Sequence, residues 1–293
     1  MMVVTGRGAD DLYRQALEAL VETPLGPSPR GQRTREIPCV ALVLRDARDC
    51  VVTWRSRKLN YHFLVAEFFW IATGRDDVAS IAPYNKKIAD FSDDGVTFFG
   101  AYGPRWRPQA EWAATNLRAD LESRQAVAST WRPCPPLTRD TPCTLSYQYL
   151  VRGGKLHSIV TMRSSDIFLG IPYDIFNAAR LAACVAGAVG VPLGSLTMQL
   201  GSFHLYERNE AEARAVLAED RATEGRVVLP DLPGFPPVEY GAIMASGFLM
   251  PRSFHPFWRD YIEVMSNRFA PDGARGGPVS DGNPFKWLLE RGR

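Results

Sequence analysis

Residues 141–174 read TPCTLSYQYLVRGGKLHSIVTMRSSDIFLGIPYD, and this segment predicts the central elements of the domain. Apolar and polar side chains alternate over 144–151, the turn Gly153-Gly154 follows, and a second apolar run covers 156–162. Alternation with a period of two on both sides of such a turn predicts a β-hairpin. The long apolar run after Pro172 predicts a helix at the centre of the domain.

The rest of the chain predicts helices and strands that pack around this hairpin. An opening helix is expected because its leucines fall near one face, and a second helix is apolar almost all round and is therefore expected to be buried. These and the other predicted elements are helices at 10–22, 59–71 and 285–291, strands at 39–45 and 51–54, and a Gly- and Pro-rich loop at 272–283. We expect one domain spanning residues 1–293.

The composition limits the classes of protein to which this chain can belong. The chain has 293 residues, of which 46% are hydrophobic, and this is enough for a sizeable core. A formal net charge of +2 argues against a nucleic-acid-binding surface, because binding to a phosphate backbone needs clustered excess Lys and Arg. The longest apolar runs are too short to span a bilayer or are interrupted by Glu67. We expect a small-molecule partner, with no nucleic acid and no membrane.

The cysteines predict a reducing compartment. They are odd in number, lack CxxC spacing and follow no secretory signal, so we expect a cytoplasmic location. With only four histidines and no HxH or HxxxH spacing, no metal site is expected. Four of the cysteines are expected to be small buried apolar residues: Cys39, Cys50, Cys134 and Cys184.

Cys143 differs from the other cysteines. It opens a predicted strand directly after Pro142, and the next predicted strand ends in Arg163. Such a hairpin would set a guanidinium beside the sulfur and favour the thiolate. Together with the two acids Asp166 and Asp174, these groups are suited to covalent catalysis on an anionic small molecule.

Three blocks of the sequence resemble blocks of thymidylate synthases. They are the Pro-Cys at 142–143, MRSSDIFLGIPYD at 162–174 and GSFHLY at 201–206. The family blocks read Pro-Cys, Gln-Arg-Ser-x-Asp-x-x-Leu-Gly-x-Pro-Phe-Asn and Gly-Asp-x-His-x-Tyr. The resemblance is dense over 120–210, traceable over 11–120 and poor beyond residue 215. It implies a thymidylate-synthase-type α/β (α+β) fold, with a mixed β-sheet layered with a long buried helix, and a homodimer formed through the sheet.

The resemblance implies a catalytic group around the nucleophile Cys143. Glu67 matches the glutamate that orders water and relays protons in this family, and a carboxylate in so apolar a helix is costly to bury without a role or a partner. Tyr102 resembles the tyrosine near the nucleophile, and a purely structural place in the core fits its sequence equally well. Thr144 replaces the histidine usual after the nucleophile, so general acid chemistry is not expected there.

The resemblance also implies residues that bind a nucleotide phosphate. Arg163 and Ser164 match the residues that hold it, and a guanidinium suits this task because it donates bidentately to phosphate. Arg30 is similar in position to the family's N-terminal phosphate arginine. Arg124 matches one of two adjacent arginines that cross the dimer interface to the partner's phosphate, while Gln125 replaces the second. A solvated charge at a helix end is the alternative for Arg124.

The remaining matches concern the sugar and the folate. His204 and Tyr206 share the spacing of the family's pair that contacts the 3′-hydroxyl. Asp166 matches the aspartate that contacts the folate, so 5,10-methylenetetrahydrofolate is the implied co-substrate. Ala89 and Ser92 stand where thymidylate synthases carry tryptophans, and small residues there would leave room for water. This exchange favours hydration over reduction.

Asp174 stands where thymidylate synthases keep asparagine, and this exchange marks the cytidylate hydroxymethylases of the family. An asparagine amide matches the N3–H donor and O4 acceptor of uracil, whereas cytosine inverts both groups. A carboxylate accepts from the exocyclic amino group of cytosine, and an ionised carboxylate opposite O4 would disfavour uracil. A helix N-cap aspartate after Pro172 is the structural alternative.

These residues predict folate-dependent 5-hydroxymethylation of a cytidine monophosphate. Attack of Cys143 on C6 of the pyrimidine would make C5 nucleophilic toward the one-carbon unit. The family includes phage enzymes for dCMP and antibiotic-pathway enzymes for CMP, and the altered phosphate loop favours CMP slightly. Two alternatives stay open. One is a thymidylate synthase that methylates dUMP, and the other is a catalytically degenerate protein that binds a nucleotide or RNA.

Overall fold

The computed structural model describes residues 1–220, 226–241, 256–267 and 279–291. In chain order, its helices and strands are β1 (Met2–Gly6), α1 (Ala9–Val21), β2 (Thr34–Leu44), α2 (Tyr61–Ala72), α3 (Val78–Ile81), α4 (Gly103–Ala119), β3 (Val127–Ser129), β4 (Thr144–Arg152), β5 (Lys155–Asp166), α5 (Ile171–Val189), β6 (Leu193–Tyr206), α6 (Glu210–Ala218), α7 (Pro256–Ser266) and α8 (Lys286–Arg291). The predicted terminal helix is confirmed as α8. Residues 272–278 of the predicted Gly- and Pro-rich loop lie outside the described residues.

The six strands form one mixed sheet in the order β1-β2-β6-β5-β4-β3. β1 runs parallel to β2 and β5 runs parallel to β6, while the other neighbours are antiparallel. The predicted hairpin is confirmed as β4 and β5, with Tyr147 opposite Val160. β5 continues beyond the predicted end at Arg163, because residues 164–166 pair with residues 202–204 of β6. The mixed α/β architecture is therefore confirmed.

The prediction of strands fails at four places. It lacks the edge strands β1 and β3 and the central strand β6, and the strand predicted at 51–54 is wrong. That segment is buried, but the N–H of Thr53 donates to the Asp10 carboxylate (2.7 Å) and the indole of Trp54 donates to the Asp10 carbonyl (3.2 Å). A residue of helix α1 thus provides contacts that a neighbouring strand would otherwise make.

Helix α5 lies at the centre of the domain, as its apolar sequence predicts, and packs against β5, α2 and α4. Pro172 occupies its first turn, where a missing N–H costs nothing, and Gly190 ends it with a left-handed φ of 85°. Helix α2 is buried almost all round, with Phe68 and Phe69 against Trp258 of α7. Within the described ranges, no helix combines the length and hydropathy needed to cross a bilayer.

The helices cover one face of the sheet. On β5, the buried Val160 and Met162 alternate with the half-buried Thr161, and on β6 the buried Met198 precedes the exposed Gln199. Alternation of this kind is typical of a sheet with one packed face. The less buried face is the one through which a homodimer is expected, and the dimer stays a prediction.

Cysteine burial differs from the prediction at two positions. Cys50 and Cys184 are buried, as expected, but Cys39 and Cys134 are exposed. Cys39 interrupts the pairing of β2 with β6 without shifting the register, and its φ is 59°. Cys134 lies in the loop before β4 with a φ of 50°. In both cases the left-handed backbone coincides with an outward side chain.

Candidate active site

The predicted nucleophile and its arginine meet where β4 begins and β5 nears its end. The backbone N–H of Arg163 donates to the Cys143 carbonyl (2.9 Å), so the two residues lie opposite each other. The Arg163 guanidinium donates to the carbonyls of Pro142 (2.9 Å) and Thr141 (2.8 Å). Its Nη2 lies 3.6 Å from Cys143 Sγ. Two backbone carbonyls therefore hold the guanidinium beside the thiol.

Burial has the largest effect on the pKa of the Cys143 thiol. It raises the pKa of Cys143 above its usual value, although Arg163 and, more weakly, Arg30 lower it. The carboxyls of Asp174 and Asp140 act in the same direction as burial. The guanidinium lies beside the sulfur, as the hairpin predicts. It does not by itself convert the thiol to a thiolate, because burial raises the pKa of the thiol and the hairpin pattern does not indicate this burial.

Two tyrosine hydroxyls lie beside the nucleophile. The Tyr102 hydroxyl, just before α4, accepts from the backbone N–H of Thr144 (3.2 Å). Tyr147 is buried on β4, where it interacts with the Thr144 side chain and the charges of two carboxyls, Asp174 and Glu67, act on it. Burial raises the pKa of both tyrosines, so both hydroxyls keep their protons. Sequence reasoning missed Tyr147; its only signal is a hydroxyl at an inward position of the strand that follows the nucleophile.

Glu67 extends from α2 toward α5, where Asn177 holds it. Asn177 Nδ2 donates to Glu67 Oε2 at 2.7 Å. Burial raises the pKa of Glu67 to about 7, and the hydrogen bond from Asn177 opposes that rise. Near neutral pH, Glu67 is therefore present both as carboxylate and as carboxylic acid, which suits a group that exchanges protons with water.

Asp174 lies one turn before Asn177 on the same face of α5. Burial raises the pKa of Asp174 well above its usual value, and the charges of Glu67 and Asp166 add to the effect. The N-cap of α5 is Gly170, and Asp174 lies inside the first turn, so the N-cap alternative is wrong. No hydrogen bond within the described residues holds the Asp174 carboxyl, and both of its oxygens are available to a bound group.

The ends of β5 and β6 bring the predicted sugar and folate residues together. Asp166 pairs with His204 across the two strands, and the His204 ring meets Tyr206 edge-on with centroids 5.1 Å apart. Asp166 Oδ1 accepts from the N–H groups of Phe168 (2.8 Å) and Leu169 (3.0 Å), which fixes the turn into α5. His204 is buried, and in the described part of the chain its Nδ1 has no hydrogen-bond partner.

Two of the predicted phosphate residues lie toward the nucleophile. Arg30 is exposed in the turn Pro29–Gly31 with a left-handed φ of 55°, and its charge acts on Cys143. Ser164 directly follows Arg163 on β5 and is half-buried. The structure therefore groups Arg30, Arg163 and Ser164 around one end of the sheet.

Arg124 lies elsewhere on the molecule. It is exposed and lines a groove of about 620 Å³ beside the β4–β5 turn, together with Arg152 and Gly153. β4 begins next to the nucleophile and ends at this turn, and its nine residues span roughly 30 Å. Arg124 is consequently remote from Cys143 of its own chain.

Ala89 and Ser92 lie in and just after a 3-10 turn that covers Lys86–Phe91. Ala89 is half-buried and packs against the core. Ser92 is buried, and its hydroxyl contacts Thr97 O (2.7 Å) and Asp94 Oδ1 (3.1 Å). The serine hydroxyl is thus used within its own turn, and any space gained for water comes from the small size of both residues.

Comparison with known sequences identifies the family. The sequence model of the family described as Thymidylate synthase matches residues 28–233. The chain belongs to the thymidylate synthase family. The matched range includes every site residue described above, from Arg30 to Tyr206.

Two relatives of the chain are named deoxyuridylate hydroxymethyltransferase. The one from Bacillus phage SP01 is 31% identical over 226 residues, which cover 70% of this chain and 59% of that protein. The one from Pseudomonas phage M6 is 33% identical over 198 residues, which cover 64% of this chain and 56% of that protein. The alignment therefore spans less than two thirds of the length of either relative.

Proposed function

We propose that this chain catalyses folate-dependent 5-hydroxymethylation of a cytidine monophosphate, with CMP ahead of dCMP. Membership of the family supports transfer of a one-carbon unit to a pyrimidine nucleotide, and both phage relatives are named as hydroxymethyltransferases. The observation that carries the choice of base is Asp174, a carboxyl with a raised pKa whose charge acts on the same pocket as Cys143.

The proposed chemistry begins at Cys143. Its sulfur adds to C6 of the pyrimidine, which makes C5 nucleophilic. When bound, 5,10-methylenetetrahydrofolate supplies the one-carbon unit that C5 takes up. Arg163 stabilises the thiolate as it forms, because the guanidinium is fixed 3.6 Å from the sulfur. The same side chain is exposed, so it can also donate to the substrate phosphate.

A neutral Asp174 carboxyl suits cytosine. Its carbonyl oxygen can accept from the exocyclic amino group while its O–H donates to N3. The raised pKa of Asp174 supports this pairing, because burial favours the protonated form of the carboxyl. An asparagine amide makes the uracil pairing when its carbonyl oxygen faces N3–H and its NH2 faces O4.

Hydroxymethylation of dUMP is the second candidate, because both relatives are named for deoxyuridylate. A neutral carboxyl turned over also matches uracil, with its O–H toward O4 and its carbonyl oxygen toward N3–H. The two candidates share Cys143, Glu67 and the folate. They differ only in the base that Asp174 pairs with, so a comparison of substrates separates them.

A buried guanidinium favours an anionic co-substrate beside α5. Arg57 lies over the rings of Phe168 (4.7 Å) and Tyr173 (5.9 Å), and its Nε has no hydrogen-bond partner in the described residues. The side chains of Tyr13 and Tyr173 interact with this guanidinium, and a bound anion would stabilise the buried charge further. The acidic end of a folate would supply one, and Asp166 lies in the same turn as Phe168.

We also propose a homodimer through the less buried face of the sheet. Arg124 is remote from Cys143 of its own chain, and a second copy would bring it to the phosphate site that the family resemblance implies. Gln125 beside it would leave that site with one positive charge fewer. Sedimentation of the purified protein measures the association, and a monomer at assay concentration would contradict it.

The test of the function is product analysis by mass spectrometry. Wild type and Asp174→Asn are incubated with CMP, dCMP and dUMP in parallel, each with methylenetetrahydrofolate. We expect a gain of CH2O on CMP, and loss of cytidylate activity in the variant. Asp140→Asn is the matched control, because it removes a carboxyl that also acts on Cys143 and should keep the base preference.

Each of the other results would indicate a different activity of this chain. A gain of CH2O on dUMP alone would establish the second candidate, and a gain of CH2 on dUMP would establish a thymidylate synthase. Absence of product together with failure to form a covalent complex with a 5-fluoropyrimidine nucleotide would indicate a protein that binds nucleotides without catalysis.

A further inference from the structure

A buried amide connects two helices beside the pocket. Asn177 of α5 is only 6% exposed, and its Nδ2 donates to Glu67 Oε2 of α2 at 2.7 Å. The other half of the amide, Oδ1, is buried and has no hydrogen-bond partner among the described residues. Among the described residues, the hydrogen bond to Glu67 is therefore the one that the Asn177 side chain makes.

Stability does not account for an amide at this position. A buried carbonyl oxygen without a partner costs about 1–3 kcal/mol, whereas a leucine has nearly the same shape and no polar atoms. A junction of α2 and α5 that needed only packing would be better filled by an apolar residue. The single hydrogen bond to Glu67 is the feature that explains Asn177.

We infer that Asn177 is a positioning residue that holds Glu67 as the carboxylate which takes a proton from the water that attacks the reaction intermediate. This inference rests on the proposed function and deepens it. An N–H donor binds a carboxylate more strongly than a neutral carboxyl, and it also fixes one orientation of the side chain. The pKa of Glu67 agrees in direction, because the hydrogen bond from Asn177 opposes the rise caused by burial.

Other titratable groups face Glu67 from two elements. The charge of Glu67 acts on three groups, which are Asp174 and Tyr173 on α5 and Tyr147 on β4. Burial raises the pKa of Asp174 well above its usual value and also raises the pKa of both tyrosines, which favours their protonated forms. Burial raises the pKa of Glu67 to about 7, so this carboxyl loses its proton as the pH rises through neutrality.

The step that Glu67 assists is a hydration. The pyrimidine carries an exocyclic methylene at C5 and the sulfur of Cys143 at C6. The water oxygen bonds to the methylene carbon, and a water proton passes to the Glu67 carboxylate. The electron pair of the exocyclic double bond moves to form C5=C6, and the C6–S bond breaks to release the Cys143 thiolate. No electrons enter or leave, so the step needs no oxidant or reductant.

Asn177→Leu tests the inference, with Asn116→Leu as its matched control. Asn116 on α4 likewise has one side-chain hydrogen bond to a residue of another segment, which its amide oxygen accepts from Ser123 Oγ at 2.6 Å. It lies roughly 20 Å along the helix from Tyr102, at a rise of about 1.5 Å per residue. Tritium release from the C5-labelled nucleotide measures attack by C5, and mass spectrometry measures the hydroxymethyl product, both as a function of pH.

We expect Asn177→Leu to keep covalent trapping by a 5-fluoropyrimidine nucleotide and to keep tritium release. The rate of formation of the hydroxymethyl product should fall by about 100-fold. The acid side of the plot of this rate against pH should move to higher pH, because loss of the N–H donor raises the pKa of Glu67 further. Asn116→Leu should keep the wild-type acid side and product ratio. Asn177→Ser can still donate a hydrogen bond, so it should move the acid side less, and it replaces the leucine variant if that one does not fold.

The outcomes distinguish this inference from the proposed function. A wild-type acid side of the plot and a wild-type ratio of product to tritium in Asn177→Leu would overturn the positioning role. Loss of covalent trapping would also overturn it, because Asn177 would then shape the pocket as a whole. If the wild-type protein releases no tritium from CMP, dCMP or dUMP, the proposed function fails instead.

Discussion

The contact between Arg163 and the Cys143 thiol can be tested by removing its charge. Arg163→Gln takes away the guanidinium that lies 3.6 Å from the sulfur. At that distance two unit charges interact by about 1 kcal/mol in a water-like dielectric and by about 5 kcal/mol at an effective dielectric constant of about 20. Because the Arg163 side chain is exposed, the lower figure applies, and it corresponds to about sevenfold less thiolate at a given pH.

Alkylation by iodoacetamide, located by peptide mass spectrometry, measures the thiolate. Only the thiolate reacts, and burial raises the pKa of Cys143, so the wild-type rate should still be rising at neutral pH. Arg163→Gln should react about sevenfold more slowly there and reach the same plateau at higher pH. The exposed Cys39 and Cys134 serve as internal references whose rates should not change.

Arg118→Gln is the matched control for this experiment. Arg118 is an exposed arginine of α4 that also donates to a backbone carbonyl, that of Ala188 (3.0 Å), but it is not among the charges that shift the pKa of Cys143. Equal alkylation rates for Arg163→Gln and wild type at every pH would refute the electrostatic coupling. A lower plateau in Arg163→Gln would instead mean that the arginine controls access to the sulfur.

Two further substitutions test the remaining groups of the pocket. Tyr147→Phe keeps the ring and removes the hydroxyl, and it should lower kcat about fivefold to tenfold with little change in Tm; an unchanged kcat would make Tyr147 a packing residue. The pKa of Glu67 is about 7 in the folded chain and has its ordinary value of 4.5 in the unfolded chain. Between these two values the folded chain binds more protons at Glu67 than the unfolded chain does. The free energy of unfolding therefore falls as the pH rises through this window. The loss is about 3 kcal/mol at most. Glu67→Gln should remove this loss in urea unfolding at the two ends of the window, and an identical pH dependence in both proteins would contradict the raised pKa.

Local sequence patterns predict the parts of the fold that local interactions determine. The Gly153-Gly154 turn and the alternation on both sides specify the β4–β5 hairpin, and Pro172 specifies the start of α5. The failures involve partners that are distant in sequence. β6 pairs with both β2 and β5, and the N–H of Thr53 is taken by Asp10 rather than by a strand. Pairings of this kind leave no signal within the segment itself.

The candidate site divides in the same way. The proximity of Cys143 and Arg163 follows from the hairpin register, so the sequence predicts it. The contact between Glu67 and Asn177 joins residues that are 110 positions apart on two helices, and nothing near either residue indicates it. The direction of the Cys143 pKa also escapes the sequence, because it depends on how deeply the completed domain buries the thiol.

Two carboxyls of the candidate site, Glu67 and Asp174, have pKa values above their usual range. Burial raises the pKa of both, but Asn177 opposes the rise for Glu67, whereas the charge of Glu67 increases it for Asp174. In the proposed function, a protonated Asp174 would donate to and accept from the base, and Glu67 would take a proton from water. An asparagine at position 174 can exchange its donor and acceptor only by rotating the amide, whereas a neutral carboxyl can also do so by moving its proton from one oxygen to the other. The proposed preference for cytosine therefore predicts that the proton of Asp174 faces N3 of the bound base.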